Sequence, residues 1–194
     1  IWTIKKDDIS AKRLTTNYGE VSCPIYSPNG KFIAYIGKED GNTEIYIIPS
    51  DGGLSKRITY EGAIIGNIAS WEGNNIIYSS TLESVIGRMF ELRSVDSKGG
   101  SSKNLSFGAS NHISYNNNGV VIGKNTGDLA RWKRYKGGTA GKILIDYQSK
   151  NNFKELIKLK GNLSCPLWID NRIYFLSDHE GISNIYSCLK NGKS

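Results

Sequence analysis

The chain has 194 residues, 38% of them hydrophobic and 22% charged, which is enough apolar content for the core of an ordinary domain and unlike a disordered segment. No apolar run approaches the roughly 18 residues of a membrane-spanning helix, and the opening Ile1-Trp2-Thr3-Ile4-Lys5-Lys6 has neither an initiator Met nor a leader layout, so the sequence reads as starting inside a longer protein. The formal charge of +7 is spread along the chain, so neither nucleic acid nor membrane is an expected partner.

Short Ile/Val/Tyr runs end at Gly, Asn, Asp or Ser throughout, and no stretch sustains helical spacing over about 11 residues, so the chain is expected to be all-β. The first element is the block 1–15 (IWTIKKDDISAKRLT), an alternating strand, an Asp-containing turn and a second strand that closes on Lys12-Arg13-Leu14-Thr15. Next comes 21–36 (VSCPIYSPNGKFIAYI), where one strand turns at Ser27-Pro28-Asn29-Gly30 into an apolar one. The first block then returns without a gap at 45–59 (IYIIPSDGGLSKRIT), an offset of 44, with Lys56-Arg57-Ile58-Thr59 on Lys12-Arg13-Leu14-Thr15. Such self-similarity marks a repeat architecture.

Weaker copies of the strand–turn–strand unit fall at 68–78 and 113–122, and a clear one at 163–176 (LSCPLWIDNRIYFL) sets Ser164-Cys165-Pro166 on Ser22-Cys23-Pro24. Hairpin copies fall at 92–106, 143–157 and, incompletely, 185–194. Together the two units make four strands per roughly 45 residues, which is one blade of a β-propeller. The expected fold is therefore a propeller of four-stranded antiparallel blades at about 21–59, 66–106, 110–157 and 163–194, preceded by the end of another blade at 1–15. About four blades do not close a ring, so the chain is expected to be an incomplete propeller.

The densest functional candidate is Arg131, Lys133, Arg134 and Lys136 around Trp132 and Tyr135, in the longest inter-strand loop. Four cations with two aromatics could meet a peptide carboxylate or stack on bases, but a basic face in such a loop more often docks on another domain or sits solvated. Gly137 to Lys142 is not a phosphate loop, because Lys136 and Ile143 stand where a P-loop needs Gly and Ser or Thr. His112 and His179 are the only histidines, and no partner recurs at metal-ligand spacing, so no metal or other cofactor is expected. His179, in Asp178-His179-Glu180-Gly181, falls on the turn that matches Lys38-Glu39-Asp40-Gly41, and no serine sits in Gly-x-Ser-x-Gly. No catalytic residue is expected in this chain. Three cysteines make no disulfide framework and point to a reducing compartment, the cytoplasm.

The turn Ser27-Pro28-Asn29-Gly30-Lys31 with Phe32-Ile33-Ala34-Tyr35 resembles the blade signature of Tol-type, prolyl-oligopeptidase-type and tricorn propellers. The run Arg131-Trp132-Lys133-Arg134-Tyr135-Lys136-Gly137-Gly138-Thr139, then Gly141-Lys142-Ile143, is more specific and resembles the archaeal tricorn protease family, to which 56–60 and 172–175 are similar as well. The resemblance implies a segment of the N-terminal six-bladed propeller of a hexameric cytoplasmic serine peptidase that shortens peptides, with its nucleophile and base far downstream. Its implied partners are peptides, the downstream domains and further copies of the same chain. Paired arginines that meet a peptide carboxylate in some members have no counterpart here, where Gly62-Ala63-Ile64-Ile65-Gly66 stands. A six-bladed ring would also set Cys23 and Cys165 on opposite blades, beyond disulfide reach. The alternative left open is a freestanding Tol-like propeller that acts as a protein-interaction scaffold.

Overall fold

The structure, a computed structural model, describes residues 1–15, 19–85, 89–117, 119–125 and 137–193. They form 17 β-strands, with no helix among the described residues. A two-stranded sheet of β1 (Trp2–Thr3) and β2 (Lys12–Arg13) comes first. The first full blade runs β3 (Val21–Tyr26), β4 (Phe32–Gly37), β5 (Glu44–Pro49), β6 (Lys56–Arg57), and the second β7 (Ile65–Glu72), β8 (Asn75–Ser80), β9 (Glu91–Asp96), β10 (Lys103–Ala109). The third runs β11 (His112–Asn116), β12 (Gly119–Lys124), β13 (Lys142–Asp146), β14 (Lys154–Glu155). The fourth has three strands, β15 (Leu163–Ile169), β16 (Arg172–Ser177) and β17 (Asn184–Leu189). Strand order in every sheet follows chain order, as the all-β antiparallel blade repeat requires.

The chain divides into two compact units, one of residues 1–88 and 93–105, the other of 89–92 and 106–194. In the first unit, Leu14 of the leading hairpin packs on Ile33, Tyr35, Tyr46 and Ile48 of the first blade. The opposite face of that blade, Ala34, Ile36, Ile45, Ile47 and Ile58, packs on Ile65, Ile68, Trp71, Ile76, Tyr78 and Val95 of the second. In the second unit, Val121, Ile143, Ile145 and Leu156 of the third blade pack on Leu163, Trp168, Ile173, Phe175 and Cys188 of the fourth. Each blade is thus apolar on both faces, and its burial comes from its neighbours.

The recurring Lys-Arg-aliphatic-Thr ending has a physical division of labour. In the first blade the Ile45 N–H donates to Thr59 Oγ1 at 2.8 Å, Arg57 Nε donates to the Thr59 carbonyl at 2.8 Å, and the Ile58 N–H donates to the Ile45 carbonyl at 2.9 Å. Lys56 Nζ reaches the Lys98 carbonyl in the second blade at 2.9 Å. The leading hairpin repeats the set: Ile1 nitrogen to Thr15 Oγ1, Arg13 Nε to the Thr15 carbonyl, Leu14 N–H to the Ile1 carbonyl, and Lys12 Nζ to the Asp51 carbonyl. Thr and Arg close the hairpin, the aliphatic residue enters the core, and Lys stitches to the next blade. The Ser27-Pro28-Asn29-Gly30 turn is closed by the Gly30 N–H on the Ser27 carbonyl at 2.8 Å, with Gly30 at φ 69°.

Crossovers between blades are held by buried carboxylates. Glu44, fully buried, accepts the Thr59 hydroxyl, Arg57 Nη2 at 2.9 Å, the Glu61 N–H at 3.2 Å and the Gly62 N–H at 3.1 Å. Glu61 in turn accepts hydroxyls from Tyr78, Ser80 and Ser102 of the second blade and lies 3.4 Å from Arg93 Nε. In the other unit the Asn162 N–H donates to Asp178 Oδ1 at 2.7 Å. Burial pushes the Glu44 carboxyl up, yet its donors outweigh burial and hold it below the usual carboxylate range.

Two outcomes follow from this geometry. Thr59→Val leaves the buried Ile45 N–H unpaired and should destabilise the chain by about 1–3 kcal/mol; an unchanged urea midpoint would show that the hydroxyl is dispensable. The depressed Glu44 group contributes stability that is complete above the ordinary carboxylate pKa of about 4.3 and is lost as pH falls through its lower folded value. A Glu44→Gln variant should therefore start less stable at neutral pH and lose less between about pH 5 and 3, as read from Tm against pH.

Candidate functional site

The first strand of each blade, β3, β7, β11 or β15, has a single neighbour in its own sheet. Within the first unit β3 lies beside β7, and within the second β11 lies beside β15. These strands read VSCPIY, IGNIASWE, HISYN and LSCPLWI, and Glu72 is the one Asp, Glu, Lys or Arg among them. Its carboxylate accepts the hydroxyl of Ser70 at the strand end. A chain of net charge +7 has thus kept nearly all formal charge off the strands that adjoin one another.

The repeated Ser-Cys-Pro places an irregularity on two of these strands. Cys23 and Cys165 have φ of 51° and 50°, and the register shifts between Ser22 and Ile25 and again between Ser164 and Leu167. Left-handed non-glycine backbone of this kind marks a bulge that re-aims a side chain. In the second unit Cys165 Sγ lies 3.5 Å from His112 Nε2 and 3.2 Å from Ser164 Oγ. His112 is 53 residues away in sequence, so spacing gave no sign of the pair. Burial lowers the pKa of His112, which favours neutral imidazole and so withholds the positive charge that would draw the thiol toward thiolate. The pair is a hydrogen bond on a strand edge.

His179 occupies the expected turn, closed by the Gly181 N–H on the Asp178 carbonyl at 2.9 Å. Its Nδ1 is 3.0 Å from Ser177 Oγ and its Nε2 is 3.9 Å from Glu180, an apparent Ser–His–acid trio. Ser177 is fully buried, so no substrate carbonyl reaches its hydroxyl, and the trio braces the turn. A cavity of about 230 Å³ is lined by Trp168, Asp170, Asn171, Leu189, Lys190 and Asn191, smaller than the roughly 300–1,000 Å³ of small-molecule sites. Among the described residues no group of three or more His, Cys, Asp or Glu could hold a metal ion. No described helix is long and apolar enough to cross a membrane. Arg131, Lys133, Arg134 and Lys136 lie outside the described residues. At 62–66, Gly62 serves the Glu44 cluster through its N–H, and no side chain there offers a cation.

The described residues form four-stranded and three-stranded antiparallel blades in chain order, the organisation of a β-propeller. The Tricorn protease N-terminal beta propeller domain family matches residues 1–194, and the chain belongs to that family. It is 32% identical over 200 residues to the tricorn protease homolog of Saccharolobus solfataricus, covering all of this chain and 18% of that protein. It is 30% identical over 156 residues to the N-terminal subunit of a tricorn-like protease from Sulfurisphaera tokodaii, covering 78% of this chain and 79% of the subunit. The crystal structure of the tricorn protease superposes with a TM-score of 0.83 at 30% identity, covering 95% of this chain and 19% of that one.

The three free cysteines are graded by environment: Cys165 is exposed, Cys23 half-buried and Cys188 buried, with burial pushing the Cys188 thiol up. A thiol reagent should therefore modify Cys165 first and Cys188 only on unfolding. Cys165→Ser should remove the fast phase; its persistence would assign the accessible thiol elsewhere.

Proposed function

We propose that the chain is a non-catalytic propeller segment of a tricorn-like cytoplasmic serine peptidase, and that it gates or channels short peptides to or from an active site on downstream domains. The observation that carries this reading is the nearly uncharged set of adjoining first strands in a protein of this family. A passage edged by backbone and neutral side chains holds no peptide by its charge and selects by size. Because the chain spans less than a fifth of the Saccharolobus relative, hydrolysis, assembly into a hexamer and the peptide substrates belong to the proposal. The unpaired thiols suit a reducing compartment.

On this reading Arg131, Lys133, Arg134 and Lys136 meet peptide carboxylates. Replacing all four by Ser in the full-length enzyme should weaken turnover of short acidic-ended peptides, more at low salt than at high, because exposed charge attraction is screened over about 8–10 Å. A fall in Tm or loss of assembly with unchanged salt dependence would instead make the cluster, with Trp132 and Tyr135, an interdomain clamp. The chain itself should take up no serine-directed phosphonate, whereas the full-length protein should be labelled. Stoichiometric labelling of any serine within 1–194 would overturn the non-catalytic assignment.

A further inference from the structure

Strands β11 of the third blade and β15 of the fourth are tied at two points. The Trp168 N–H donates to Ser114 Oγ at 3.0 Å, and two residues earlier on β11 the Nε2 of His112 lies 3.5 Å from Cys165 Sγ. Two steps along β11 are thus matched by three along β15, and the extra residue is taken up in the bulge where Cys165 has a φ of 50°. The first blade has the same bulge, with Cys23 at φ 51°, but there the thiol packs on the apolar cluster of the first two blades. The imidazole is what sets the second unit apart.

A thiol and an imidazole on adjoining strands are a soft donor pair. Cys165 is exposed, so an ion reaches its sulfur from solvent. Ser164 Oγ, on a buried residue 3.2 Å from that sulfur, supplies a hydroxyl that steadies a thiolate. The number of donors decides which ion fits. Zinc takes three or four protein ligands, and among the described residues no group of three or more His, Cys, Asp or Glu could hold a metal ion. A soft monovalent ion of filled d shell, such as Cu(I), is satisfied by one sulfur and one nitrogen in a near-linear array. Charge points the same way. A thiolate cancels a single positive charge, so the loaded site adds none to first strands whose one formal charge is Glu72, whereas a divalent ion would leave a positive charge behind.

We propose that Cys165 and His112 form a binding site for one Cu(I) ion, which clips the first strand of the third blade to that of the fourth. On binding, the Cys165 S–H bond breaks and its proton passes to solvent, the sulfur and Nε2 each donate a lone pair to the metal, and no electron is transferred. The in-line ion needs the two atoms further apart than their hydrogen bond, an adjustment that falls on the exposed Cys165 side chain. Because the pair exists only where the two strands meet, the ion stabilises the folded blades by mass action. The site stands apart from the peptidase reading and does not rest on it.

The test measures maleimide addition to each cysteine of the full-length protein, kept anaerobic with free Cu(I) set by a chelating buffer, the modified peptides being read by mass spectrometry. Cu(I) should slow modification of Cys165 by about tenfold once the free ion exceeds its dissociation constant by as much. At that same free Cu(I), Cys23 should stay unprotected, and so should Cys165 in a His112→Gln variant. His112→Cys, which restores a soft donor, should keep the protection and so separates loss of the ligand from loss of the fold. Equal protection of Cys23 and Cys165, or protection that survives His112→Gln, would overturn the two-donor site. Failure of Cu(I) to protect Cys165 in the unaltered protein would overturn it as well, and protection by Zn(II) at the same free concentration would overturn the choice of ion.

Discussion

A blade of this chain cannot bury itself. Its strands alternate apolar residues to both faces, so that Ile45 and Ile47 look one way and Tyr46 and Ile48 the other, and a four-stranded sheet has no second layer of its own. Each face is satisfied only by the next sheet, at about 1.5–3 kcal/mol for every large side chain moved out of water. Stability is then a chain of neighbour terms. Ile45, which has such a neighbour, is fully buried.

Face-to-face packing fixes neither register nor the path between blades, and the polar residues do that. A threonine hydroxyl and an arginine close each of the first two hairpins, and a lysine crosses to the carbonyl of the following one. Glu44 and Glu61 then hold the crossover between the first two blades from both ends, and Asp178 holds its counterpart in the second unit. Buried carboxylates normally signal chemistry when their pKa rises. Glu44 does the reverse: its donors lower its pKa and favour the ionised form, which suits a structural anchor inside the protein.

The repeat was legible because it is local. Strand, turn and closing tetrapeptide follow one another within 15 residues, so the match of 1–15 to 45–59 exposed both the hairpin and its period. The Ser-Cys-Pro recurrence was visible too, but not its consequence, since nothing in three letters reveals a left-handed cysteine and a shifted register. Two of the fourth strands are shorter than the sequence suggests: β6 and β14 hold two residues each, whereas β10 holds seven. The Cys165–His112 contact joins two strands of different blades and has no sequence signature at all. Nor does the trio of Ser177, His179 and Glu180 betray its closure, which depends on burial and not on spacing.

The same allocation of residues bears on what a propeller segment can contribute to a peptidase. Cations such as Lys12, Arg13, Lys56 and Arg57 stand on the closing strands of hairpins, while the first strands carry no Lys or Arg. A field from such rims reaches only about one Debye length, roughly 8–10 Å, into physiological salt. On the proposed reading, attraction of an anionic chain end and passage along the strands would be separable steps, the first sensitive to ionic strength and the second set by steric fit. A catalytic domain has to hold its substrate, but a passage has to let it go. On the proposed reading, first strands whose single formal charge is Glu72 would offer a moving peptide an edge with little charge to hold it.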